Sequence, residues 1–146
     1  MSQPSVHAIC INKERGQLKQ EIETARFLTD TGIEGDGHCG DWGRQVTCLD
    51  WDSVVRSNEE NRLTMGPGDF AENVSIEHMS ELDLKTGDRF RLGSEVVLEV
   101  TQIGKPDHPS VVTRTFGISL LPYEGRFCRV IQGGQVKKGD AVVKLP

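Results

Sequence analysis

The residues with the most chemical potential are crowded into GIEGDGHCGDWGRQV, residues 32–46, where Asp36, His38, Cys39, Arg44 and Gln45 are set among five glycines. In an extended loop, Asp36 and His38, two apart, project to the same side, and with Cys39 they offer an N/O/S donor set for a metal. The glycines let backbone approach a ligand closely and turn N–H groups toward an anion. Arg44 adds a planar fork of donors for a phosphate or carboxylate. A plain turn uses the same composition. Cradle and turn stand level here, with the metal site behind them. The loop is not a Walker loop, because GxxxxGK[ST] is absent.

Two further clusters carry polar chemistry. In GPGDFAENV, residues 66–74, Glu72 and Asn73 sit between Phe70 and an apolar run. An Asn there can donate to and accept from a heterocycle edge, or simply close a turn. In IGKPDHPSVVTR, residues 103–114, two prolines bracket Asp107 and His108 and stiffen the loop. An Asp beside a His has the groups for general acid–base work, although adjacent residues seldom face each other. Lys105 and Arg114 place positive charge near them.

These clusters need elements to hold them. Residues 4–11 alternate as a first strand does, residues 12–20 read as a loop, and 21–29 read as strand rather than helix. RQVTCL has the composition of a buried strand. From Asp50, DWDSVVRSNEENRL has a helix signature: Asp50 or Asp52 caps it, and Trp51, Val54, Val55 and Leu63 form an apolar stripe. SELDLK reads as a helical turn. LKTGDRFRLG and VKKGDAVVKL both place Gly-Asp before a strand, with EVVLEVTQIG between them. Gly-Asp is turn chemistry, and many short strands joined by tight turns predict a mainly β barrel or sandwich over residues 1–146 as one domain.

The totals narrow the classes. Lys and Arg number 17 against 22 Asp and Glu, for a net charge of −5. Without a basic run, non-specific nucleic-acid binding is disfavoured, while a local basic pocket for a small anion remains compatible with the balance. No stretch reaches the ~18 apolar residues of a membrane helix, and the first residues lack a secretory pattern, so a cytoplasmic protein without membrane contact is expected. Cys10, Cys39, Cys48 and Cys128 show neither CxxC nor a disulfide spacing. Three lie in apolar company, and Cys39 is the exception.

The order GIEGDGHCG-DWGRQV, GDFAENVSIE, LKTGDRFRLGSEVVLEVTQIGKP and EGRFCRVIQGGQVKKGD resembles the MOSC domain, the family named after the C-terminal domain of molybdenum cofactor sulfurases. The resemblance implies a MOSC-type β-barrel with a few short helices, of the small stand-alone kind. It also implies a molybdopterin-type molybdenum cofactor, used in sulfur transfer or in reduction of N-hydroxylated compounds with electron-transfer or molybdoenzyme partner proteins. Asp36, His38, Arg44 and Gln45 match the family's GDxHxG…RQ pattern. Glu72 and Asn73 match its GEN element, with Ala71 in place of the glycine, and the resemblance implies that these six residues hold the cofactor's pterin and phosphate. The family's cysteine is replaced by Asp107, a hard carboxylate that cannot carry transferable sulfur. Under the resemblance, Asp107 and His108 would face the reacting centre; loss of the cysteine-dependent step is the simplest reading, and the two alternatives to that loss are that Cys39 acts from the neighbouring loop or that Asp107 is a metal ligand through oxygen. The alternative is a non-catalytic module that carries, senses or delivers the cofactor.

Overall fold

The computed structural model describes residues 3–146. Eleven strands and three short helices are formed among them. They run β1 (Ser5–Ile11), β2 (Gln20–Ile22), β3 (Thr24–Leu28), β4 (Gly32–Ile33), β5 (Val46–Asp50), α1 (Trp51–Asn61), β6 (Val74–Glu77), β7 (Arg89–Leu92), β8 (Val96–Ile103), α2 (Val111–Phe116), α3 (Leu121–Glu124), β9 (Arg126–Gln132), β10 (Gly134–Lys137) and β11 (Val142–Lys144). A single 3₁₀ turn covers Met79–Leu82, overlapping the first half of the SELDLK segment expected to turn helically. The chain is therefore mainly β with a few short helices, as its turn chemistry predicts.

Eight strands form one sheet in the order β11-β7-β8-β9-β5-β6-β1-β2, and β10-β3-β4 form a second. The larger ladder is not closed into a ring, so the expected barrel is not what the strand pairing shows. Its first and last strands are β11 and β2. An isolated bridge, Ser5 with Ala141, and a hydrogen bond from Val6 N to Asp140 O at 2.8 Å tie β1 to the turn before β11. Every pairing is antiparallel except β5 with β6, where the connection through α1 returns the chain in the same direction.

Strand β5 lies in the middle of the sheet and is buried at all five positions. Val46 and Cys48 join the larger apolar core with Ile9, Phe90 and Leu98. Leu49, on the opposite pleat, packs with Val54, Phe70, Val112, Leu121 and Phe127 under the helices. A strand covered on both faces shows no apolar–polar alternation, which is why RQVTCL reads as a buried strand. Asp50 caps α1, its Oδ1 accepting from Asp52 N at 2.9 Å, and Arg62 ends the helix in a left-handed conformation. Val54 is buried, but Val55, expected in the same stripe, is 41% exposed. Helix α2 falls where the sequence predicts only a proline-stiffened loop. Ser110 starts it with a reciprocal cap, its Oγ accepting from Thr113 N while Thr113 Oγ1 accepts from Ser110 N.

Candidate functional site

The Gly-rich loop between β4 and β5 is organised around a buried carboxylate. Asp36 Oδ1 accepts from Lys19 Nζ at 2.7 Å and from Asn12 N at 3.1 Å, and Oδ2 accepts from His38 N at 3.1 Å. Burial opposes ionisation of Asp36, yet the Lys19 ammonium, through its hydrogen bond and its charge, and the Asn12 N–H hold the carboxyl well below the usual range. Gly37 passes so close to the β1–β2 connection that a Cβ there would lie 2.7 Å from Lys13 O. Backbone approach is thus one use of these glycines. Trp42 closes the loop: its Nε1 donates to His38 O at 2.7 Å, its ring stacks with His38, and the Arg15 guanidinium lies 4.3 Å from its centroid.

The 66–74 segment supports this loop from beneath. Glu72 is fully buried and accepts from Gly68 N, Phe70 N and Ser75 Oγ. Burial raises its pKa, against the pull of those donors. Gly68 O in turn accepts from Lys19 N at 3.0 Å. Asn73, also fully buried, accepts from Thr47 N through Oδ1 at 3.0 Å and donates from Nδ2 to Cys10 O at 3.0 Å, joining β5 to β1 where β6 begins. Gln45 is used in the same way: Oε1 accepts from Val130 N, and Nε2 donates to Gly40 O. Three of the expected cofactor-binding side chains, Gln45, Glu72 and Asn73, are thus buried with their hydrogen-bonding groups committed to the protein.

A cavity of about 320 Å³ opens beside the loop. Its polar lining includes His38, Thr47, Lys105, Ser110 and Arg114, and its apolar lining includes Phe70, Val112, Leu121 and Phe127. The Arg44 guanidinium lies 5.1 Å from the Phe127 ring centroid and the Lys105 ammonium 6.0 Å from it. Arg44 Nε also donates to Gln102 at 3.3 Å. Burial lowers the Lys105 pKa from 10.5, the Arg44 charge lowers it further, and Asp107 opposes them. Lys105, Arg114 and Arg44 therefore concentrate positive charge at one edge of an acidic protein. A bulge in β8 at Thr101 helps: its hydroxyl lies 2.5 Å from Gly43 O and 2.9 Å from Phe127 O, joining the loop to the cavity wall.

The remaining expected residues stand apart from the lining. Asp107 and His108 are exposed, and Tyr123 donates its hydroxyl to Asp107 Oδ2. Cys39 donates its thiol to Ile33 O at 2.9 Å, and burial, followed by the Asp36 charge, raises its pKa. Among the described residues, no three His, Cys, Asp or Glu side chains gather as a metal site would require. Lys19 was missed by sequence reasoning, since an isolated lysine in GQLKQE reads as surface. Lys105 and Arg114 were legible only as charges flanking a loop.

The fold and this loop define a MOSC domain. A family model of that domain matches residues 35–143, and the chain belongs to the family. Among solved structures, it is similar to the YuaD protein of Bacillus subtilis, at 19% identity and a TM-score of 0.77 over 97% of this chain and 94% of that one. It is also similar to YiiM of Geobacillus stearothermophilus, at 18% identity and a TM-score of 0.76 over 98% and 75%. For YiiM of Escherichia coli the values are 21% and 0.69, over 97% and 69%. At these identities the likeness concerns the fold. No curated protein matches the chain significantly. Among the described residues, no helix is long and apolar enough to cross a membrane.

Proposed function

We propose that this MOSC domain binds a phosphate-bearing, molybdopterin-type cofactor in the cavity beside the Gly-rich loop. The observation that carries the reading is the meeting of Lys105, Arg114 and His38 around one cavity in a chain of net charge −5. Lys105 and Arg114 would hold the phosphate through charge-assisted hydrogen bonds, with Arg44 adding to the field. Phe70, Val112, Leu121 and Phe127 supply apolar surface for a flat heterocycle. When bound, such a cofactor supplies metal-centred redox or sulfur chemistry, the basis of sulfur transfer or of reduction of N-hydroxylated compounds.

A second reading, a module that carries, senses or delivers the cofactor, is favoured by the thiols. The family's cysteine position holds Asp107, whose carboxylate is engaged by Tyr123. Cys39 donates to a backbone carbonyl, and its pKa is raised rather than lowered. A reactive thiolate needs the opposite environment.

Pyrophosphate binding at low ionic strength, followed by calorimetry, tests the cavity. Binding to the wild type is expected, weakened about tenfold or more in Lys105→Glu and Arg114→Glu. It should also weaken as pH rises through the lowered Lys105 pKa, earlier than the ordinary 10.5. No binding, or equal binding by both variants, would refute the site. Protein isolated from cells supplied with molybdate should carry molybdenum and pterin. Cofactor retained without turnover against N-hydroxylated compounds, with or without reductant, would select the carrier reading.

A further inference from the structure

Lys19 is a buried cation whose side chain is 1% exposed. Its ammonium reaches Asp36 Oδ1 at 2.7 Å and His38 Nδ1 at 3.1 Å. The backbone that carries Lys19 is held in place: Lys19 N donates to Gly68 O, and the Asn12 side chain donates from Nδ2 to Leu18 O, one residue earlier. An ammonium has donors and no lone pair. At 3.1 Å from it, Nδ1 must therefore be the acceptor and carry no hydrogen, since two N–H groups would otherwise confront each other. A competing contact exists, Nδ1 to Asp36 Oδ2 at 3.4 Å. It is the longer of the two, and Oδ2 already accepts from His38 N at 3.1 Å. The nitrogen belongs to Lys19.

We propose that Lys19 is a positioning residue: by donating to Nδ1 it holds His38 as the neutral tautomer with its hydrogen on Nε2, so the ring offers the cavity a donor and no acceptor. Stacking on Trp42, itself covered by Arg15, keeps the ring plane fixed while this bond sets its chemistry. The group met by Nε2–H is then an acceptor oxygen, as on a phosphate or a carbonyl. His38 in this state cannot take a proton from a ligand at Nε2. The inference rests on the proposed cofactor site only for what accepts that hydrogen, because the tautomer is a property of the free protein.

Long-range 1H–15N correlation spectra of the uniformly labelled, ligand-free full chain at neutral pH read the tautomer directly. His38→Gln assigns the ring signals by their disappearance. The wild type is expected to show one pattern, with the hydrogen on Nε2 and Nδ1 bare. Folded Lys19→Met is expected to lose that single pattern, both nitrogens moving toward the exchange average. A hydrogen on Nδ1 in the wild type, or an unchanged pattern in folded Lys19→Met, would overturn the proposal. Should Lys19→Met fail to fold, the wild-type spectrum alone decides. No ligand enters the measurement, so its outcome stands apart from whether pyrophosphate binds.

Discussion

Asp36 shows how a residue that looks like a ligand-binding group in a motif can act through the residues around it. Its carboxylate neutralises buried Lys19 and fixes the backbone of His38, so its charge is spent on architecture. Removing one member of a buried pair strands the other, and Asp36→Asn is expected to cost about 3–5 kcal/mol in urea unfolding at neutral pH. The sign of its pH dependence follows from the lowered pKa. Below the unfolded value near 3.8 the unfolded chain takes up a proton that the fold resists. The stability from Asp36 is complete above that value and is lost as pH falls toward the depressed folded one. Unfolding midpoints measured across this acidic window should slope steeply in the wild type and less so in Asp36→Asn. Parallel slopes would show that the pair is not what the carboxyl senses. The motif made Asp36 and His38 visible, but Lys19, which completes them, lies 17 residues away and has no local signature.

At the scale of elements, the GDFAEN turn is a clamp on the β1–β2 connection. Gly68 adopts a φ of +85°, and a Cβ there would stand 2.1 Å from Lys19 O. Gly16, in the same connection at a φ of +78°, has open space around it. Gly16→Ala should therefore cost only the left-handed backbone penalty, about 1–2 kcal/mol. Gly68→Ala must also displace the Lys19 backbone that carries the Asp36 pair and should lower the urea midpoint clearly more. Equal midpoints would mean that the clamp gives way freely. The elements readable in sequence were those with local causes: the alternation of β1, the Asp50 cap of α1, and the Gly-Asp turns before β7 and β11. Helix α2 was hidden because the prolines before it dominate the segment, although Ser110 and Thr113 cap it. The strand order was hidden too, since β5 lies between β6 and β9 through pairings about 26 and 80 residues apart, which no local pattern encodes.

At the scale of the whole molecule, the charges divide by place more than by number. An acidic chain sets Lys105 and Arg114, from one segment, in the lining of one cavity, and folding brings Arg44 from a distant segment beside Phe127 of its wall. The sequence named one of the three as a binding residue and left two as flanking charges. It also assigned Gln45, Glu72 and Asn73 to ligand binding, because a motif shows which residues belong together without showing which way they point. The packing of the cysteines has a different consequence. Cys10, Cys48 and Cys128 have no solvent exposure, while Cys39 is partly accessible. Burial raises the pKa of Cys10, Cys39 and Cys128 above ordinary thiol values, so none of these three is an eager nucleophile in the native state. An alkylating reagent followed by intact-mass spectrometry should therefore add one label slowly. The other three should follow together, as a single jump of mass, each time a molecule opens completely. One-at-a-time labelling of those three would instead reveal that the sheet opens in parts. The chain thus carries its own clock for global unfolding, with three hands hidden in the sheet and one left outside as a reference.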